Sequence, residues 1–309
     1  MGCVCGKQNI ILQNNKYYII DQIGQGGFSS VYLVEDTNNT KYVLKCIYCH
    51  DEKDKEKAQK EAEMHSILDN CCKNSYIIKL IGYKMIEKCP IFSKTPKDTF
   101  LMLLPFYKNG SLHDRLILYQ NQINLKTIIQ HFHIICLGVK VFHDVSYAHR
   151  DIKPANILFD HNNKPIIIDL GSAAPAKVVI TSQKDAQELL DDVNERCSMT
   201  YRAPELFNID LDSVIDERID VWSLGCLLYA MLYGKSPYDL VYERGDSVAL
   251  AVISGKLYFP PNSYENFNKI IKMILTTDHV KRPNINDVLE YVTSLEDSLN
   301  QDIERDPFV

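Results

Sequence analysis

The chain has 309 residues, 46% of them hydrophobic and 24% charged, with a formal net charge of −6. That length exceeds the roughly 100–200 residues of a single hydrophobic core and calls for one large or two closely packed lobes. The mild acidity supplies no field for nucleic acid, and no run approaches the ~18 apolar residues of a membrane span, so neither a nucleic-acid partner nor a transmembrane anchor is expected. Ten cysteines in a long chain without the apolar stretch of a secretory leader point to a reducing, intracellular compartment. Cys46-Ile-Tyr-Cys49 has metal-ligand spacing, but it falls in a strand-like run with no second such pair, so zinc is not expected.

At the N-terminus, Met1-Gly2-Cys3-Val4-Cys5-Gly6-Lys7 would expose Gly2 for an acyl chain once Met1 is removed, with Cys3 and Cys5 as palmitoylation sites. One chain binds a membrane only marginally, whereas a second adds about 0.8 kcal/mol per buried methylene and makes the anchor stable. Gly6 stands where the myristoylation pattern asks for Ser or Thr. The expectation is an acylated segment over 1–16.

From Tyr17 the chain reads as a meander of β-rich runs at Tyr17–Ile20, Ser30–Val34 and Lys41–Ile47, separated by Gly or Asn clusters. Asp51 to Leu68 is charged and free of Gly and Pro, with Glu61, Met64, His65 and Leu68 on one helical face. Two more strands are expected at Ile77–Tyr83 and Phe100–Leu104, around a polar loop with Pro90 and Pro96. Past Lys108-Asn-Gly110 long apolar-periodic segments follow, including Lys126–Val141, Ile219–Tyr233 and Tyr264–Leu275. The pattern predicts an α+β protein of two lobes with a cleft between them: a small antiparallel sheet with one main helix over 17–104, a larger helical lobe over 105–296, and a tail over 297–309.

Gly24-Gln-Gly26-Gly-Phe28-Ser29-Ser-Val31 lies between two predicted strands, where bare backbone can fold over phosphates while Val31 packs on a base. By itself such a turn is equally a β-hairpin. Lys45 ends the β-branched run Tyr42-Val-Leu-Lys45 after the loop, where an ammonium can reach phosphate oxygens, and it needs a carboxylate from the following helix; Glu61 faces that way and Glu63 less so. Most specific is Tyr147-Ala-His149-Arg150-Asp151-Ile-Lys153-Pro-Ala-Asn156-Ile-Leu158, followed by Ile166-Ile-Ile-Asp169-Leu170-Gly171. In this spacing Asp151 can accept a hydroxyl proton, Lys153 can neutralise a migrating phosphoryl group, and Asn156 with Asp169 can hold Mg²⁺ against the phosphates of ATP.

These segments, with Ala203-Pro204-Glu205, Asp220-Val-Trp-Ser-Leu-Gly225 and Lys281-Arg282-Pro283, resemble the eukaryotic protein kinases over Tyr17 to about Leu295. Within them the chain is similar to the Numb-associated kinases, one of whose members is myristoylated and palmitoylated. The resemblance implies the two-lobed protein-kinase fold, activity on Ser or Thr of protein substrates, and an ATP site that adds Ile23, Gly24, Gly26, Phe28, Leu104, Phe106 and Leu158; autophosphorylation is expected as a consequence of a helix that already orders the segment between Asp169 and Glu205. It implies a buried Glu205–Arg282 pair, support of the catalytic loop by Asp220, and a monomer held peripherally on Golgi, other endomembranes or the plasma membrane, in part cytoplasmic. Ser29 replaces the third glycine of the loop, and Leu170 the usual Phe, without removing a catalytic group. A pseudokinase scaffold, a small-molecule kinase and a membrane adaptor are the competing readings. Intact Lys45, Asp151, Asn156 and Asp169 weigh against the first, and Ala203-Pro204-Glu205 against the second.

Between Asp169 and Glu205, Ser182-Gln-Lys-Asp185 reads as a helix start, with Ala186, Leu189, Leu190 and Val193 at helical intervals. A helix is expected there, its apolar stripe either packed against the large lobe or offered to a partner, with packing favoured because exposed apolar patches are costly. Thr181, Ser182, Ser198 and Thr200 are candidate phosphorylation sites whose phosphate could pair with Arg150.

Overall fold

The computed structural model describes residues 8–71, 76–92, 96–118, 124–261 and 264–304, with 301–304 described by backbone alone. The chain divides into two compact units, Met1–Lys108 and Asn109–Val309, a division slightly past the expected boundary at Pro105.

Unit 1 is a six-stranded antiparallel sheet with one helix. In chain order it comprises β1 (Asn9–Leu12), β2 (Asn15–Gln25), β3 (Ser29–Glu35), β4 (Lys41–Cys49), α1 (Glu52–Cys71), β5 (Gly82–Cys89) and β6 (Lys97–Pro105), arranged β1-β2-β3-β4-β6-β5. The period of two sends alternate residues to opposite faces. Leu44, Cys46, Leu101 and Leu103 join one core with Ile10, Leu12, Tyr17 and Val34. Cys49, Phe100 and Met102 join another beneath Ala58 and Ala62 of α1. Cys46 and Cys49 therefore sit in different cores, a placement incompatible with a shared metal ion. Burial raises both thiols, which suits inert core residues.

Two features of the sheet depart from expectation. β1 was not foreseen, its Asn-rich flanks obscuring a short alternating run. The strand expected over Ile77–Tyr83 begins instead at Gly82, which pairs with Leu103. Ile78 is buried, and its carbonyl meets His65 Nδ1 at 3.1 Å, so this apolar run packs against α1 before the ladder begins.

Unit 2 is mainly helical: α2 (Leu112–Leu118), α3 (Leu125–Asp144), β7 (Tyr147–Ala148), β8 (Ile157–Phe159), β9 (Pro165–Ile167), β10 (Ala174–Pro175), β11 (Val178–Val179), α4 (Gln183–Arg196), β12 (Val214–Ile215), α5 (Arg218–Tyr233), α6 (Asp239–Glu243), α7 (Val248–Ile253), α8 (Glu265–Ile274) and α9 (Ile285–Glu304). α5 is apolar on every side and buried from Ile219 to Leu232, as expected of a central helix. α8 approaches it so closely that a Cβ at Gly225 would lie 2.7 Å from Ile274 and Leu275 side-chain atoms. α3 has the length and hydropathy of a membrane span, yet half of its most apolar window is buried. Its stripe of Ile128, Phe132, Ile135, Val139 and Phe142 belongs to the core of this unit.

Candidate active site

In unit 1, β2 and β3 close on the glycine turn, with Gly24 opposite Val31 and Gln25 opposite Ser30. Gly26 N–H donates to Ser29 O at 2.8 Å. A side chain at Gly24 would crowd Val31 Cβ at 3.3 Å, so a bare backbone fits this part of the hairpin. The tip carries Phe28, exposed like Ile23 on β2. Val31 is half-buried and lies opposite Lys45, whereas Leu104, next to last in β6, is buried, and half-buried Phe106 follows the strand.

Register decides what Lys45 can reach. Leu44 and Cys46 point into the core opposite α1, so Lys45 is directed to the α1 side. There Glu61 lies on the helix stripe formed by Ala58, Glu61, Ala62, His65 and Leu68. Lys45 Nζ donates to Glu61 Oε1 at 2.7 Å, with little of either side chain exposed. Glu63 turns outward and accepts from Gln59 Nε2 at 3.0 Å.

In unit 2 the His149-Arg150-Asp151 segment is hung from the central helix. Asp220, wholly buried in the first turn of α5, accepts from His149 N–H through Oδ2 and from Arg150 N–H through Oδ1, both at 2.7 Å. His143 Nε2 of α3 adds a contact to Oδ2 at 3.1 Å. Burial by itself pushes the Asp220 carboxyl up, but hydrogen bonding from His143, the neighbouring His143 and His149 rings and the Arg150 N–H leave it below its usual range. His149 Nε2 in turn lies 3.1 Å from Ile168 O, immediately before Asp169.

These anchors hold strained backbone. Arg150 and Asp169 adopt φ of 67° and 62°, a left-handed conformation that costs a non-glycine residue about 1–3 kcal/mol. Asn156 Nδ2 donates to Asp151 O at 2.9 Å and Oδ2 at 2.8 Å, and Asn156 O accepts from Ile168 N–H at 2.9 Å. Lys153 Nζ sits 2.8 Å from Asp151 Oδ2 and donates to Ser198 Oγ at 2.7 Å. Ser198 N–H donates to Asp151 Oδ1 at 3.0 Å. The structure thus gathers Asp151, Lys153, Asn156 and Ser198 into one hydrogen-bonded group and ties the Asp169 segment to it. Leu158 is half-buried in β8, and Leu170, which follows Asp169, is buried.

The helix expected between Asp169 and Glu205 is α4. Ser182 Oγ accepts from Asp185 N–H at 3.2 Å, and Asp185 Oδ2 accepts from Thr181 N–H at 3.1 Å and Thr181 Oγ1 at 2.7 Å. Ala186, Leu189 and Val193 are buried and Leu190 is half-buried, so most of the stripe is packed within unit 2. Thr200 lies in the turn Met199–Tyr201. Arg150 meets none of the four candidate phosphorylation sites; its guanidinium lies 3.4 Å from Asp192 Oδ2 and donates to Pro175 O at 3.1 Å. Neither Asp192 nor His143 had been singled out, because nothing in local spacing reports contact with a loop so distant in sequence. Glu205 and Arg282 form the implied buried pair, bidentate at 2.7 and 2.9 Å, with Arg282 against Trp222. Gly2, Cys3, Cys5 and Gly6 lie outside the described residues.

Residues 17–292 match the protein kinase domain family. Over 300 residues, covering 95% of both chains, the sequence is 39% identical to serine/threonine-protein kinase 16 of Rattus norvegicus, and equally so to that of Homo sapiens. Serine/threonine-protein kinase ENV7 of Saccharomyces cerevisiae is 27% identical, with 95% of this chain and 96% of that one covered. With both halves of the motif set built as described and relatives of this kind matching along nearly their whole length, the chain belongs to the protein kinase family and is a serine/threonine-protein kinase.

Proposed function

We propose that the chain transfers the γ-phosphoryl group of ATP to Ser and Thr hydroxyls of proteins, its own among them, with Asp151 as the acceptor of the hydroxyl proton. The observation that carries the proposal is the group around Asp151: Asn156 and Lys153 fix its Oδ2, while Ser198 N–H fixes Oδ1. A carboxylate so oriented can receive a proton without first rearranging. Lys153 supplies positive charge beside it, for the phosphoryl group in transit. Unit 1 contributes Lys45, held by Glu61, for the α- and β-phosphates, with Gly24 and Gly26 as phosphate-covering backbone. Within unit 1, Ile23, Phe28, Val31, Leu104 and Phe106 offer apolar surface for the nucleotide base, and within unit 2 Leu158 offers the same chemistry.

The residues fit Mg²⁺. With Nδ2 committed to Asp151, Asn156 has its Oδ1 as acceptor, and exposed Asp169 brings a carboxylate, both hard oxygen donors. Among the described residues no group of three or more His, Cys, Asp or Glu could hold a metal, consistent with an ion completed by phosphate and water oxygens. When bound, Mg²⁺ would neutralise charge on the phosphates; the chain orients its two ligands through the Asn156–Asp151 and Asn156–Ile168 hydrogen bonds.

The finer assignment is to the Numb-associated kinases, carried by the helix in the segment between Asp169 and Glu205. A segment already ordered by α4 supports activity without an upstream kinase, with autophosphorylation a consequence. Gly2, Cys3 and Cys5 support acylation, and hence a chain peripheral on Golgi, other endomembranes or the plasma membrane, in part cytoplasmic. Mass spectrometry of bacterially produced, phosphatase-stripped protein, with and without Mg-ATP, tests the central reading. New phosphate on Ser or Thr is expected in the intact chain and absent from Asp151→Asn. Equal phosphorylation of the two chains, or none in either, would sink it.

A further inference from the structure

We infer that Asp192 supplies the anion that positions the catalytic loop against the segment between Asp169 and Glu205, in the role a phosphate on that segment would otherwise take. The inference rests on reading His149-Arg150-Asp151 as the catalytic loop and adds a residue to its positioning machinery. Arg150 precedes Asp151 directly: its backbone N–H is fixed by Asp220, and Asp151 in turn accepts from Ser198 N–H. Its guanidinium is 5% exposed, and its Nε is buried without a partner. A buried cation needs a compensating anion, since leaving it alone costs far more than an exposed charge would. Among the described residues Asp192 is the carboxylate that its guanidinium meets, at 3.4 Å; its other side-chain partner, Pro175 O, is neutral.

Asp192 has a second cationic partner. Its Oδ1 lies 3.1 Å from Arg196 Nε, one helical turn on, and Arg196 Nη1 donates to Gly171 O at 2.8 Å. Ser172 Oγ donates to Arg196 O at 3.1 Å. One carboxylate therefore links Arg150 of the catalytic loop, the α4 helix and the Asp169-Leu170-Gly171 segment. A phosphate would bring about −2 charge only after modification, whereas this carboxylate is present as the chain folds. At 32% exposure Asp192 is still within reach of small anions from solvent.

The test uses the full chain, freed of phosphate by phosphatase and checked by intact mass, with initial rates on myelin basic protein. Asp192→Asn is expected to lower kcat about tenfold to a hundredfold, the size of one charge-assisted hydrogen bond, with little change in KM for ATP. Asp192→Glu should retain most of the rate, and added formate should partly restore Asp192→Ala. Adjacent Asp191, which accepts from Gln187 Nε2 at 2.7 Å on the exposed side of α4, is the control, and Asp191→Asn should leave the rate unchanged. Wild-type kcat in Asp192→Asn overturns the proposal. So does a loss that neither Glu nor formate reverses, because that pattern belongs to a packing defect. Asp151→Asn separates the underlying reading: if it stays active, the catalytic-loop assignment itself fails.

Discussion

At the scale of single residues, function depends on charges whose partners arrive from other elements. Lys45 holds its place because β4 directs it to the α1 side and Glu61 meets it at 2.7 Å. Lys45→Met should cut kcat/KM by about 10²–10³-fold, the usual loss when one electrostatic donor is removed from a phosphoryl-transfer site. Glu61→Gln keeps the shape and loses the charge, so it should fall between that variant and wild type in the same steady-state assay. Asp220 gives a pH prediction. Its folded carboxyl lies below the usual range, so its contribution is fully present above the unfolded pKa, near 3.9, and is lost as pH falls through the lower folded value. The difference in Tm between wild type and Asp220→Asn should therefore be largest above about pH 4 and shrink in stronger acid. A constant difference across that range, in melts followed by circular dichroism, would contradict this account.

At the scale of elements, α4 shows how local chemistry and packing agree. Ser182 satisfies the Asp185 N–H at the helix start, and Asp185 places a carboxylate where the helix dipole favours one. Ser182→Ala should cost about 1 kcal/mol in urea unfolding, with the larger consequence in the order of the segment that contains Ser198. Protease nicking between residues 176 and 200 should quicken in that variant. Ser182 is itself a candidate phosphorylation site, and its cap role means that phosphate there would crowd Asp185 and Thr181. At the other end of the helix Arg202 donates to Val193 O, Cys197 O and Asn194 Oδ1, placing a cation among C-terminal carbonyls.

At the scale of the whole molecule, each unit carries its own candidate set. The sheet unit has bare backbone at Gly24 and Gly26 and the paired Lys45, and the helical unit has Asp151, Asp169, Asn156 and Lys153. The proposed N-terminal tether would be a separate device. If Gly2 is acylated and Cys3 or Cys5 adds a second chain, Gly2→Ala should move the protein from the membrane pellet to the supernatant, whereas Cys3→Ser with Cys5→Ser should leave weak, reversible binding. Specific activity of the released chain should equal that of the tethered one on a soluble substrate. Loss of cellular function with full activity in solution would favour the adaptor reading.

Local order was legible in the sequence wherever chemistry depends on near neighbours. The spacing from His149 to Asn156, the cap at Ser182 and the face shared by Glu61 and Leu68 all lie within a few turns of chain, so residue type and interval sufficed. Ile77–Tyr83 misled because an apolar run looks the same whether it pairs in a sheet or packs under a helix. Cys46 and Cys49 had ligand spacing until strand register sent them to opposite faces. The sequence by itself determined that the chain carries a phosphoryl-transfer motif set on an α+β scaffold. Tertiary structure decided which charges meet: Arg150 with Asp192, and His143 with Asp220, each pair far apart along the chain. The physical reason is that a buried charge selects its partner by where the folded backbone brings an opposite charge, and no local pattern encodes that distance.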